Sequence, residues 1–236
     1  KKTSKSATIL FEIDLDAEDN SSQGGLKAIF DCFGEDFIVK RSKLKLAVWT
    51  TTPWTLPSNL ALAIGKDISY DIIKNDDEFI IISSNLKEKY KEFDDSTKVS
   101  TIKGFDLIGL KYKPLFEYFI NDKKIKNSKN SFTILNADFV TTEDGTGIVH
   151  IAPAFGEDDQ VLCKKYDIPV ICPVDQAGKF TDLTYDLENL SIKNKQVFEC
   201  NDDIIKYLKY TNNWLKTEQY IHNYPHCWRT DTPLIY

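Results

Sequence analysis

The chain has 236 residues, 42% of them hydrophobic, and a net charge of −6 from 30 basic and 36 acidic side chains. That balance excludes a chiefly disordered, collagen-like or coiled-coil chain, and no run approaches the roughly 18 apolar residues of a membrane-spanning helix. A surface that holds long duplex nucleic acid is ordinarily basic, so contact with nucleic acid is expected to be local or assisted from elsewhere.

Taken in chain order, residues 1–7 read as a polar linker and 8–236 as a single domain. Strand-like runs then dominate: Thr8–Ile13, Lys45–Thr50, Leu60–Ile64, Ser69–Lys74, Glu78–Ser83, Phe132–Val140 and Gly147–Ala152. They are short, rich in β-branched or aromatic residues, and bounded by Gly, Pro, Asn or Asp. Asn85 and Glu88 suggest a cap before a helix over Leu86–Phe93. Asn121–Ser131 is a basic loop, read as a solvated insertion. Asp144-Gly145 signals a hairpin between the last two strands. Gly156 and the acids Glu157, Asp158 and Asp159 open a helix through Tyr166, with the acids where the helix dipole favours them. A further helix is expected over about Asp202–Thr211. The pattern predicts a mainly β domain, a β-barrel core with α/β decorations. A doubly wound parallel sheet is the weaker alternative, because strands and helices do not alternate regularly.

The five cysteines (Cys32, Cys163, Cys172, Cys200, Cys227) are odd in number and widely spaced. They fit a reducing, cytoplasmic setting better than a disulfide scaffold. The absence of Met reads as a piece excised from a larger protein, and with Lys1–Ser6 polar and no apolar segment following, no signal peptide is expected. His222, His226 and Cys227 lie close together, but Pro225 interrupts the spacing and no second ligand pair follows, so no metal site is expected.

Three segments carry chemistry. In Trp49–Asn59 (WTTTPWTLPSN), Pro53 and Pro57 forbid a central strand, so the chain leaves the sheet with Thr50, Thr51, Thr52 and Thr55 clustered at the exit. Their hydroxyls both donate and accept. In Gly145–Asp159 (GTGIVHIAPAFGEDD), period-2 alternation puts His150 on the face of Ile148 and Ala152. Asp159, in the first helical turn, is able to turn back toward the strand end and bind a cation by a charge-assisted hydrogen bond. The third segment is Tyr224–Tyr236 (YPHCWRTDTPLIY).

Together these segments resemble the editing domain of isoleucyl-tRNA synthetase, the insertion called connective peptide 1, over about Thr8–Tyr236. Thr52-Pro53-Trp54 is similar to the isoleucyl form; the related valyl and leucyl enzymes typically carry an Arg before that proline. Phe155 stands where bacterial members often have histidine, which points to a eukaryotic-type member. The signature motifs of the synthetic site are absent. The resemblance implies a β-barrel core and hydrolysis of valine wrongly joined to tRNA(Ile), with valyl-adenylate a further substrate. It gives Asp159 the role of holding the substrate ammonium and makes His150 a wall of a small side-chain pocket. Thr50, Thr51, Thr52 and Thr55 would surround the ester and terminal adenosine, Trp54 would form part of the valine pocket, and Asn59 and Tyr224 are secondary candidates. Residues 222–236 would return toward the parent's catalytic domain. The partners implied are the 3′ aminoacyl-adenosine end of tRNA(Ile), valine and the rest of the synthetase, with no membrane. No cofactor is implied for this domain, the parent using ATP and Mg. The alternatives are a non-catalytic module that receives the tRNA 3′ end, or an editing domain of valyl or leucyl specificity.

Overall fold

In a computed structural model, the structure describes residues 2–17, 23–33, 43–222 and 228–229. Among the described residues, nine strands form one sheet: β1 (Lys2–Glu12), β2 (Lys43–Thr50), β3 (Ala61–Ile64), β4 (Ser69–Asn75), β5 (Glu78–Ser83), β6 (Thr97–Lys103), β7 (Thr133–Asn136), β8 (Ile148–Ile151) and β9 (Trp214–His222). Among the same residues, five helices decorate it: α1 (Gln23–Phe33), α2 (Gly104–Leu107), α3 (Lys123–Asn127), α4 (Glu157–Lys165) and α5 (Asn201–Tyr210).

β2 is the hub. One of its edges is covered by β1, antiparallel, and β1 in turn pairs with β9. The other edge meets two partners in succession, β5 along Lys43–Leu46 and β8 at Trp49. The sheet therefore divides at β2 into the arms β5-β4-β6 and β8-β3-β7 and curls into a half-barrel. The mainly β architecture expected from the sequence is the one observed.

Both faces of the central strands are covered, which is why they read as near-continuous apolar runs. Leu44, Leu46 and Val48 of β2 face the main core with Ile9, Phe11, Ile72 and Ile81. Ala47 faces a smaller cluster with Leu10, Ile73, Ile80, Ile82 and Phe93. Lys45 is also fully buried, and its ammonium is held by the Glu78 carboxylate and the Asn212 carbonyl, each at 2.7 Å.

Several expectations need correction. Residues 2–7 are not a linker: they form the first half of β1, where β9 supplies their ladder partners. The segment Leu86–Phe93 forms two short 3-10 turns, Lys87–Lys89 and Lys91–Phe93, instead of a helix, and the Asn85 side chain bonds Thr142 and makes no cap. Asp144-Gly145 does not close a hairpin, because β7 and β8 each pair with β3, on opposite edges. The loop 121–131 is partly helical, with Asp122 capping α3 through the Lys124 amide. β6, β9 and α1 went unpredicted. Residues 223–227 and 230–236, with Tyr224, His226, Cys227 and most of the expected returning strand, lie outside the described residues.

Candidate functional site

The two arms leave an opening beside the end of β2, and three segments meet there. The first is the threonine peptide. Beyond Thr50 the prolines turn the chain out of the sheet into a 3-10 helix, Pro53–Ser58, all six of whose residues are buried. Thr50 Oγ1 accepts from the Thr52 amide at 3.1 Å, and Thr52 Oγ1 lies 3.2 Å from Thr55 Oγ1. Thr55 donates to the Thr52 carbonyl at 2.8 Å. The Thr51 hydroxyl has no hydrogen bond among the described residues, although Thr51 lines the opening.

The second segment is β8. Its register sets His150 opposite Leu62, and the ring enters a closed polar network. Tyr112 donates its phenolic hydrogen to Asn59 Oδ1 at 2.6 Å, which fixes the Asn59 amide. Asn59 Nδ2 then donates to the Ala61 carbonyl at 2.8 Å and to His150 Nδ1 at 2.9 Å. His150 Nδ1 is therefore an acceptor, the hydrogen sits on Nε2, and Nε2 donates to Thr55 Oγ1 at 3.0 Å. Burial holds the imidazole down at about 3, so the ring is neutral at physiological pH. The approach to β8 depends on Gly147. Its φ is +75°, and a Cβ there would stand 2.6 Å from Ser83 Cβ, so no larger residue fits between the arms.

The third segment is the start of α4. Asp159 occupies its third position, and its Oδ2 accepts from the Ala152 amide at 2.8 Å. The side chain folds back over Gly156, where a Cβ would lie 3.0 Å from the Asp159 Cγ. Burial, aided by the Asp158 charge and opposed by the Ala152 hydrogen bond, pushes the carboxyl up to about 6. Oδ1 has no hydrogen bond among the described residues.

Thr50, Thr51, Thr52, Thr55, His150 and Asp159 thus line one cavity of about 360 Å³. Asn59 stands behind it, acting through His150. Trp54 also stands behind: its ring packs edge-on against Phe155 at 4.8 Å, and Phe155, not Trp54, lines the cavity. The Trp54 amide is anchored by the Asn201 side chain at 2.9 Å. Sequence reasoning missed Trp49, Phe139 and the stretch Asp144–Gly147 in the wall, and the support from Tyr112 and Asn201. A Tyr far along the chain gives no local signal of such a role. Among the described residues no three His, Cys, Asp or Glu side chains are grouped as metal ligands, and no helix is long and apolar enough to cross a membrane.

No family model matches the chain. The curated isoleucine–tRNA ligases of Rickettsia canadensis and Rickettsia prowazekii are 55% and 56% identical to it over 195 residues, 81% of the chain. The chain spans about 17% of the length of these relatives. Among solved structures, GlLeuRS-CP1 matches with a TM-score of 0.63 at 18% identity, over 94% of this chain and 100% of that one. The editing domain of P. knowlesi cytosolic leucyl-tRNA synthetase matches with a TM-score of 0.60 at 15% identity, over 91% and 96% of the two chains. Such identities establish a shared fold, while the sequence relatives establish kinship. Over 81% of its length the chain is thus the counterpart of a segment of isoleucine–tRNA ligases, and its fold is that of connective peptide 1 editing domains.

Proposed function

We propose that this chain is the hydrolytic editing unit of an isoleucine–tRNA ligase, working in the cytoplasm as part of that larger enzyme. It would cleave the ester between a wrongly attached amino acid, valine above all, and the terminal ribose of tRNA(Ile). Valyl-adenylate is a second substrate of the same chemistry. The need arises because one methylene is worth only about 1–3 kcal/mol in an apolar pocket, a limit for which isoleucyl enzymes are themselves the reference case.

The observation that carries the reading is the open oxygen of Asp159 in a cavity shared with the threonines and His150. An aminoacyl ester has a free α-ammonium, and a peptide-linked residue has none. A desolvated carboxylate selects for that cation. The Thr50, Thr51, Thr52 and Thr55 hydroxyls position the attacking water and the ribose. Water adds to the ester carbonyl carbon, the bond from that carbon to the ribose oxygen breaks, and the ribose oxygen receives the proton that water loses. Positioning suffices for an activated ester. His150 is not the base in this scheme, since Nδ1 is taken by Asn59 and burial keeps the ring neutral. The neighbouring ribose hydroxyl relays the proton. His150 is instead a fixed wall that denies room to isoleucine's extra methylene. No cofactor enters; ATP and Mg would belong to the parent's synthetic site.

Calorimetric titration with the 3′-amide analogues of valyl- and isoleucyl-adenosine tests the pocket. Binding of the valyl analogue alone is expected, and preference for a leucyl or threonyl analogue would reassign the specificity. One observation favours a second reading, a non-catalytic module receiving the tRNA 3′ end: both ring nitrogens of His150, the histidine of the cavity, are already hydrogen-bonded. Deacylation of Val-tRNA(Ile) by the intact synthetase separates the two. A rate unaffected by Asp159→Ala would sink the hydrolytic role.

A further inference from the structure

A second groove, of about 620 Å³, lies between the loop around α3 and the C-terminal end of α4, lined by Lys124, Asn127, Ser128, Gln160, Lys164 and Asp167 among others. Two hydrogen bonds fasten its walls together. Ser128 donates to the Asp167 carbonyl at 2.9 Å, and Asn130 to the Tyr166 carbonyl at 2.7 Å. Ile125 is buried beneath α3, and the Lys111 ammonium is bonded by the carbonyls of Lys129 and Ser131. The segment read from sequence as a solvated insertion is therefore held in place.

This fastening brings together six exposed lysines from two stretches of chain: Lys123, Lys124, Lys126, Lys129, Lys164 and Lys165. Among the described residues none of them forms an ion pair with Asp or Glu, whereas the lysines that do are elsewhere. Compensation of the α4 dipole accounts for Lys164 and Lys165, not for the four on the loop. In a chain of net charge −6, a concentration of cations without carboxylate partners, around a groove whose wall also includes Ile168, Pro169 and Val170, is complementary to a polyanion.

We propose that this groove docks the ribose-phosphate backbone of RNA, specifically the acceptor strand of the tRNA whose 3′ end enters the cavity. Naming that RNA rests on the function proposed above; the docking itself does not. Asp159 and Lys165 lie on one helix, about 9 Å apart along its axis at ~1.5 Å per residue. That is the span of a few nucleotides at ~3.4 Å each, so one strand can reach both.

The test is binding of unacylated tRNA to the chain across a salt titration, with Lys124→Glu/Lys164→Glu compared against Lys27→Glu/Lys74→Glu, an equal charge change on α1 and β4. The groove pair is expected to weaken binding about tenfold and to lower the salt slope by about 1–2. The distant pair is expected to change binding less than about threefold, since no phosphate contact is lost there. The valyl-adenosine amide should bind all variants alike. Equal losses in both pairs, no loss in the groove pair, or no tRNA binding by the unsubstituted chain at low salt would each overturn the proposal. Loss confined to the groove pair, with no analogue binding by any variant, would uphold the docking surface and defeat the reading of the cavity.

Discussion

His150 and Asp159 line one cavity, and the protein treats them in opposite ways. His150 has both ring nitrogens occupied and a supporting chain that runs through Asn59 to Tyr112. Asp159 has one oxygen tied to the Ala152 amide and the other left open. A saturated group resists displacement and defines a shape. A half-satisfied buried carboxylate holds free energy in reserve for a ligand that brings the missing charge. One wall is therefore suited to measuring size, and the other to recognising a cation.

The contrast extends to acid stability. His150 is held down at about 3 from an ordinary 6.5, so its stabilisation is complete above pH 6.5 and lost as pH falls below that. Asp159 is pushed up to about 6 from 3.8, so the cost of its charge is absent below pH 3.8 and complete above about pH 6. Between pH 4 and 6 the two trends oppose each other.

The largest effect is expected from Asp159→Asn. Loss of the charge should weaken binding of the valyl analogue by about 100-fold, the scale of a buried ion pair broken on one side. The same change should raise the unfolding free energy at pH 7 by up to ~3 kcal/mol and unmask a steeper loss of stability below pH 6.5, both read by urea unfolding across pH. In the unsubstituted chain, analogue affinity should climb between pH 5 and 7 with an apparent pKa near 6. A flat profile would remove Asp159 from the cation site.

Asn59→Ala attacks the other wall. It strands the Tyr112 hydroxyl and frees His150 Nδ1, and should cost about 2 kcal/mol of stability, measured by the denaturation midpoint. If that cost is absent, the network does not hold the ring. Next in size is His150→Ala, which should bring the isoleucyl analogue to within about tenfold of the valyl one, since only methylene-scale discrimination would be left. Continued rejection would place the sieve elsewhere, Phe155 being the nearest alternative. The smallest effect is assigned to Gly156→Ala. An added methyl 3.0 Å from the Asp159 Cγ must shift the carboxylate. Analogue affinity should fall about threefold while stability changes by less than ~1 kcal/mol.

Much of this was legible in the sequence, for local reasons. The β-rich fold follows from short β-branched runs between breakers, and α4 from a glycine followed by three acids. The threonines announce themselves because two prolines force the strand to end among them. What was hidden is what only distance in the chain creates. Residues 2–7 look like a linker until β9, more than 200 residues later, supplies their ladder partners. β6 alternates weakly and lies at an edge, so burial never stamps a clear pattern on it. Asp144-Gly145 carries a hairpin signal that β3 overrides by accepting both flanking strands. Tyr112 and Asn201 matter to the site only because the fold carries them to Asn59 and Trp54.

The β1–β9 ladder has a mechanical consequence. Its register sets Lys2 beside His222, so a tug that separates those two points meets the rungs one at a time, as a zip does. Such peeling yields at low force. The β1–β2 ladder is loaded in turn only after the outer rungs have parted, because Ala7 is the first β1 residue that β2 holds. Tension applied across this pair of strands would be spent at the rim of the domain first, and the cavity wall would be the first part of β2 to feel what remains, because Thr50, the β2 partner of Ala7, lines it.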